Sequence, residues 1–339
     1  MTENTSNASE RIGARGGRLR YALVRISQMV PTLFFLLLAA FTLLHLAPGD
    51  AAQVLAGESG GGDAAYLANL RIRFGLDQPI YVQFALYARN VISGDLGFSF
   101  RNNMDVVDLI GARLLPTLVL TGSAMVVAVA FGMTAGAVAA SHAGKWQDRV
   151  ISGIALLIYA TPSFLLGIGL MILFGVTFPW LPIGGFVASH GIETGFQYAA
   201  SVARHLVLPV VTLGALYSAI YARFTRGSML EVYVQDHVRT ARAKGLAASR
   251  IVLRHVMRNA SLPLITLIGL QAGSLLSGAI LVETVFAWPG LGRLAFEAVQ
   301  QRDYNLLAGL VLTTGMLVVL INLCVDMLYA VLDPRVTLK

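Results

Sequence analysis

The chain has 339 residues, of which 56% are hydrophobic and only 13% are charged, and its mean hydropathy is +0.70. That composition leaves too little polar surface to cover a soluble globule, so it indicates an integral membrane protein. The net charge of +7 does not indicate nucleic-acid binding, because the basic residues stand beside apolar stretches instead of forming one patch. The lone cysteine, Cys324, lies in an apolar stretch, which excludes a disulfide framework and a thiolate metal cluster.

Six apolar stretches approach the roughly 20 residues that a membrane-spanning helix needs. They cover residues 27–46, 117–139, 151–176, 206–221, 262–282 and 305–330. The first follows five arginines, but its apolar run is too long for a signal peptide, so we expect an uncleaved span. The fourth is short and could extend through Phe224 if the Arg223 side chain snorkels toward water.

Six spans place both termini on one side of the membrane. Of the 25 Lys and Arg residues, 17 fall in the tails and in two connections, at 1–26, 140–150, 222–260 and 331–339. Because cytoplasmic segments carry the excess of Lys and Arg, we expect these four to be cytoplasmic. The predicted organisation is a basic tail at 1–26, a transmembrane domain at 27–330 and a tail at 331–339. An outer loop covers 47–115 and a cytoplasmic loop covers 222–260.

The outer loop contains one helix signal. Asp77 could cap a helix with Pro79 in its first turn and Gly94 just beyond its end. The apolar face of this helix would consist of Ile80, Phe84, Tyr87 and Val91. We expect the helix to lie on the membrane surface or against a neighbouring span.

The most informative segment lies in the cytoplasmic loop, and we name residues 239–245 the coupling segment. It consists of Arg239, Thr240, Ala241, Arg242, Ala243, Lys244 and Gly245. In a helix, the small Ala241 and Ala243 would let a partner approach closely, and the three basic residues would attract acidic groups. Gly245 can take the left-handed conformation that ends a helix. The alternative is a basic loop that only obeys membrane topology.

Other polar and small residues within the spans favour structural roles. The pairs Gly132/Gly136 and Gly269/Gly273 have the spacing that allows close helix contact. Asp326 is an acid inside a span, and we expect a hydrogen-bonded pair with Asn322, with a proton relay as the alternative.

The sequence predicts neither an enzyme nor a metal or cofactor site. The six histidines show no ligand spacing, and Gly144-Lys145 lacks the upstream glycine of a phosphate-binding loop. The sequence therefore shows no motif that could bind ATP phosphates.

Several sequence motifs, taken in chain order, resemble those of one protein family. The resemblance extends from about residue 21 to residue 334. The landmarks are Ala47-Pro48-Gly49-Asp50, Phe74-Gly75-Leu76-Asp77-Gln78-Pro79, Gly94-Asp95-Leu96-Gly97-Phe98-Ser99, Arg239 to Leu246 with Arg258-Asn259-Ala260 and Pro263, Glu283-Thr284-Val285-Phe286-Ala287-Trp288-Pro289-Gly290-Leu291-Gly292, and Asp333-Pro334-Arg335. The chain is similar to the B-type inner-membrane permease subunits of ABC importers for dipeptides, oligopeptides and nickel. It departs from the family pattern at Pro116, His237 and Asn305, which leaves the substrate open.

The resemblance implies an all-α integral membrane protein with the type I ABC importer permease fold, in the bacterial inner membrane. The coupling segment would be the short coupling helix that sits in a groove of an ATP-binding subunit. The implied partners are a second homologous permease, two ATP-binding subunits, an extracytoplasmic substrate-binding protein and membrane lipid. Peptides are the expected substrate, and nickel, glutathione, opines and sugars are alternatives. A proton-coupled secondary transporter using Asp326 is the competing class.

Overall fold

The computed structural model describes the backbone of residues 3–46, 77–187 and 195–332. Side chains are described at 24–46, 77–187 and 195–327, except at residue 262. The sequence landmarks at 47–50, 74–76 and 333–335 lie outside the described residues. The helices and strands, in chain order, are α1 Glu3–Leu46, α2 Ile80–Ile92, β1 Phe98–Ser99, β2 Met104–Asp105, α3 Val106–Ser141, α4 Trp146–Ala160, α5 Ser163–Met171 with a π-helical extension Ile172–Thr177, α6 Gly195–Tyr233, α7 Asp236–Ala243, α8 Ala248–Arg250 with a π-helical extension Ile251–Met257, α9 Arg258–Val285, α10 Leu291–Gln301 and α11 Tyr304–Leu332.

Five helices in the described chain are long and apolar enough to cross a membrane, at Val24–Leu46, Val106–Ser141, Gly195–Tyr233, Pro263–Val285 and Tyr304–Met327. The predicted third span is not one straight helix, because α4 and the helix at 163–177 meet at an angle of 104°. Pro162 causes this break, since proline has no N–H and disfavours a helical conformation of the residue before it. Thr161 accordingly has an extended backbone, with ψ 127°.

The chain divides into two compact units, residues 1–114 with 294–339 and residues 115–293. In the first unit, α1 packs along α11, and Arg25 Nε lies 3.2 Å from Asp326 Oδ2. The predicted pairing of Asp326 with Asn322 is therefore replaced by an ion pair between two helices. The described residues offer five candidate spans, or six if the bent pair counts as one crossing. Six agrees with the contact between the start of the first span and the end of the last.

The outer helix α2 also belongs to the first unit and packs on α1. The Phe84 ring makes edge contacts with Phe34 and Phe41, at centroid distances of 5.9 and 5.3 Å. The predicted cap is wrong: Pro79 flanks the helix start without a side-chain cap, and Asp77 accepts a hydrogen bond from Gln78. Gly94 follows the helix end, as predicted, and the structure gives it a left-handed φ of +85°.

A hairpin between β1 and β2 precedes α3 and is tied to the start of α11. Asp303 caps α11 by accepting a bond from the Leu306 N–H at 3.1 Å, and it also accepts a bond from Ser99 Oγ at 2.5 Å. Asn305, which departs from the family pattern, donates to the Phe98 carbonyl oxygen at 3.0 Å. The Asn305 side chain therefore fixes the hairpin against α11.

The second unit is built around the contact of α3 with α6. A Cβ at Gly132 would lie 2.6 Å from Tyr221 Cβ, and one at Gly136 would lie 2.7 Å from Thr225 Cβ. The predicted packing role of this glycine pair is therefore confirmed, and Gly269 and Gly273 are also buried. The predicted start of the second span at residue 117 is wrong, because α3 begins at Val106 and carries Pro116 in its interior.

Candidate functional site

The coupling segment forms most of α7 and the turn that ends it. Gly245 has φ +72°, which confirms the predicted left-handed conformation. Its N–H donates to the Arg242 carbonyl oxygen at 2.9 Å, and the Leu246 N–H donates to the Ala241 carbonyl oxygen at 3.4 Å. These two bonds, with Leu246 and Ala241 in one apolar cluster, form a Schellman motif. The turn therefore sets the direction in which the chain leaves α7.

α7 has an inward face and an outward face. Val238 and Ala241 face inward, with exposed fractions of 0% and 4%. The predicted close contact of a partner with Ala241 is therefore wrong for this residue, because its methyl group is covered by the chain itself. The outward face is formed by Arg239, Thr240, Arg242, Ala243 and Lys244, all exposed. Of the two alanines, Ala243 is the one that a partner could approach.

The inward face of α7 joins an apolar cluster that reaches the ends of several spans. Its buried members are Ala140 of α3, Met229 and Val232 of α6, Val238 and Ala241 of α7, Ile251 and Val256 of the π-helical extension, and Ala260 of α9. A displacement of α7 would therefore press directly on three long helices, since close-packed interiors transmit strain.

Polar contacts further orient the helix. The Arg242 guanidinium lies over the Tyr233 ring at 5.6 Å, and His237 Nε2 is 3.1 Å from Asn259 Nδ2. Arg239 lies 3.6 Å from Asp236, and both side chains are mostly exposed, so this pair contributes little stability. The outward face of α7 keeps its positive charge available to an acidic partner.

Sequence reasoning missed a buried ion pair just above this cluster. Arg226 donates to both carboxylate oxygens of Asp148, from Nε at 2.6 Å and from Nη2 at 2.8 Å. Asp148 is 4% exposed and also accepts a bond from the Gly144 N–H at 2.9 Å. The pair ties the first turn of α4 to α6, one turn before Met229. No spacing in the sequence links residues 78 positions apart, so only the structure shows the pair.

The landmark at 283–292 forms a second buried polar network. Glu283 is fully buried and accepts bonds from Thr117 Oγ1 and from the Gly292 N–H, each at 2.7 Å. Trp288, also fully buried, donates from Nε1 to the Pro116 carbonyl oxygen at 3.0 Å. A side chain at Gly290 would overlap the Glu283 carboxylate. The motif therefore holds the loop after α9 against α3, and its role here is structural.

Comparisons with known proteins agree with this arrangement. Residues 132–338 match the family described as binding-protein-dependent transport system inner membrane component. Residues 18–121 match the N-terminal family of the same membrane component.

Similar proteins match over nearly the whole chain. The glutathione transport system permease protein GsiC of Escherichia coli O6:H1 is 42% identical over 321 residues, covering 95% of this chain and 100% of the relative. The protein of the same name from Shigella flexneri serotype 5b matches with the same identity and coverage. Among solved structures, an inward-facing MetNI methionine ABC transporter has a TM-score of 0.52 at 18% identity, covering 68% of this chain and 97% of that chain. This last likeness concerns the fold alone.

The long helices, the matched families and the full-length relatives lead to one conclusion. The chain belongs to the binding-protein-dependent transport family, as an inner-membrane ABC importer permease subunit of the dipeptide, oligopeptide and nickel type.

Proposed function

We propose that this permease forms, with a second homologous subunit, the path by which small peptides cross the bacterial inner membrane. The supporting observation is the 42% identity, over 100% of its length, to a glutathione transport permease. Glutathione is itself a small peptide, so it is the first substrate to test. Nickel, opines and sugars are the alternatives for the same machinery.

α7 is proposed to sit in a groove of an ATP-binding subunit, with the exposed residues of the coupling segment supplying the contact. Its outward face carries Arg239, Arg242 and Lys244, and its inward face packs on the ends of α3, α6 and α9. Closure of two ATP-binding subunits would draw the coupling helices together and open the path to the outside. An extracytoplasmic binding protein would deliver the substrate, and hydrolysis by the partners would reset the path.

The same proposal places both termini and α7 in the cytoplasm. The support is the distribution of 17 of the 25 Lys and Arg residues. The contact between Arg25 and Asp326 agrees with termini on one side. ATP is then on the side where α7 is exposed.

Uptake by the assembled complex tests the function. The permease pair, the ATP-binding subunits and the binding protein are reconstituted in proteoliposomes with labelled glutathione. We expect uptake that requires ATP, ignores a protonophore at constant ATP and survives Asp326→Asn, which keeps size and hydrogen-bonding capacity. Uptake without ATP that is lost with the protonophore and in Asp326→Asn would favour a proton-coupled transporter. Calorimetry of the binding protein with glutathione, dipeptides and Ni²⁺ identifies the substrate class independently.

A further inference from the structure

Two arginines of the longest span, Arg204 and Arg223, have no acidic partner among the described residues. Arg204 donates to the Trp180 carbonyl oxygen at 3.4 Å. Arg223 of α6 is exposed, and its guanidinium carbon lies 5.8 Å from the centroid of the Tyr159 ring. Arg226, one turn further along the same helix, is bound by Asp148 through two hydrogen bonds. On this part of α6, Arg226 therefore has an acidic partner, whereas the Arg223 guanidinium is available to a ligand.

The Arg223 head group reaches a part of α4 that lies beside the helix break. Tyr159 follows Asp148 by 11 residues in α4, which is about 16 Å along the helix axis. Arg223 and Arg226 are only about 4.5 Å apart along α6, yet their head groups reach Tyr159 and Asp148 respectively. The Arg223 and Arg226 side chains therefore contact different parts of α4. Helix α6 continues through Phe224, as expected.

The helix break lies beside this arginine. Ala160 and Pro162 are exposed in this chain, and the backbone between them is not helical. Within a membrane, non-helical backbone is tolerated only where protein buries it or where it lines a water-filled cavity. None of the described residues buries Ala160 or Pro162 at the break.

The unpaired Arg223 and the exposed helix break have a common explanation. An arginine facing hydrocarbon costs about 2.5–3.5 kcal/mol on insertion scales, whereas one facing a hydrated path avoids that cost. A ring beneath a guanidinium holds it by a cation–π contact and leaves its N–H edge free. That edge forms two parallel hydrogen bonds with a carboxylate.

We infer that Arg223, Tyr159 and the exposed break at 160–162 form a station on the translocation path that binds a carboxylate of the transported peptide. This inference rests on the proposed peptide transport. It assigns to the permease itself a part in substrate selection, in addition to that of the binding protein.

Water access is tested first, by thiol labelling in the assembled complex. Arg223→Cys, in a Cys324→Ser background, should react with a hydrophilic, membrane-impermeant thiosulfonate in nanodiscs. Val126→Cys is the matched control, because Val126 is an apolar residue of α3 with 69% exposure. We expect labelling at position 223 to be at least about tenfold faster than at 126, because the thiolate forms only where water reaches. Equal, slow labelling at both positions would place Arg223 against lipid or protein and overturn the inference.

Carboxylate recognition is tested by uptake of glutathione and of its diamide, in which both carboxylates are amides. The ratio of kcat/KM for the acid to that for the amide is compared between variants, so that the binding protein's own preference cancels. Arg223→Gln should lower this ratio about tenfold through KM, and Arg223→Lys should lower it less. Arg89→Gln removes an equal charge from the exposed face of α2 and should leave it unchanged.

The outcomes distinguish a failure of the proposed carboxylate station from a failure of the proposed peptide transport. An unchanged ratio in Arg223→Gln, with glutathione uptake intact, overturns the carboxylate station alone. Loss of subunit assembly in both Arg223 variants would show that Arg223 pairs with the second permease, which also overturns it. Failure of the wild-type complex to import glutathione or any dipeptide rejects the proposed function instead.

Discussion

Gly245 is the residue whose conformation most limits the coupling segment. Its φ is +72°, and a Cβ there would meet nothing within 4 Å, so only backbone strain opposes a side chain. The left-handed region costs an ordinary residue about 1–2 kcal/mol and a β-branched residue more, whereas asparagine tolerates it.

Gly245→Val should therefore weaken association with the ATP-binding subunits about tenfold or more, because 1.4 kcal/mol is a factor of ten. Gly245→Asn is the matched control and should remain close to the wild type. Co-purification of the ATP-binding subunits and ATP-dependent uptake are the measurements. Full association and uptake in Gly245→Val would contradict the assigned role of the turn.

The ion pair of Asp148 with Arg226 is the second place where we expect a single substitution to have a large effect on stability. Removing Arg226 leaves the buried Asp148 carboxylate without a countercharge. Breaking a fully buried ion pair costs about 3–5 kcal/mol, which is an upper bound here because the Arg226 side chain is 34% exposed, whereas replacing both partners by apolar residues is often neutral. Arg226→Met should therefore lower the thermal stability of the purified permease strongly. Asp148→Leu combined with Arg226→Met should recover most of the loss. A double variant as unstable as Arg226→Met would show that the ion pair itself, and not the stranded carboxylate, sets the stability.

The two faces of α7 predict different effects for two neighbouring alanines. Ala241 is 4% exposed inside the cluster at the ends of α3, α6 and α9, and Ala243 is exposed. Ala241→Trp should destabilise the isolated permease by about 1–3 kcal/mol through overpacking. Ala243→Trp should leave the isolated permease unchanged and should block association with the ATP-binding subunit. Thermal unfolding in detergent and co-purification distinguish the two. Equal stability of both variants would contradict the assignment of the faces.

The sequence predicted that α7 ends at Gly245. It did not predict which residues of α7 pack against the rest of the chain. Glycine after a basic helical stretch is a local signal, so the turn could be anticipated. The burial of Ala241 depends on Ala140, Met229 and Ile251, which come together only in the folded chain. The bend at Thr161–Pro162 had a proline signal, yet the apolar run continues through it, so hydropathy alone predicted one span.

Across the whole molecule, the number of spans could be predicted but not their lengths. The apolar run 206–221 predicted a short fourth span, whereas α6 extends over 39 residues, or about 58 Å. The hydrocarbon core is only about 30 Å thick, so a helix of this length extends beyond it. At its C-terminal end the helix is held by packing, because Met229 and Val232 lie in the apolar cluster with α7. The buried networks of Asp148 and Glu283 also required the fold, since their partners are distant in sequence.

The docking of α7 on an ATP-binding subunit is the central claim, and site-specific photocrosslinking tests it most directly. A photoreactive residue at Ala243, on the exposed face of α7, is compared with one at Tyr81, which is 72% exposed on α2. In membranes containing the whole complex, Ala243 should give an adduct with the ATP-binding subunit, and ATP should change its yield. Tyr81 should give no such adduct. An adduct of the ATP-binding subunit at Tyr81, with none at Ala243, would contradict both the orientation and the coupling role of α7.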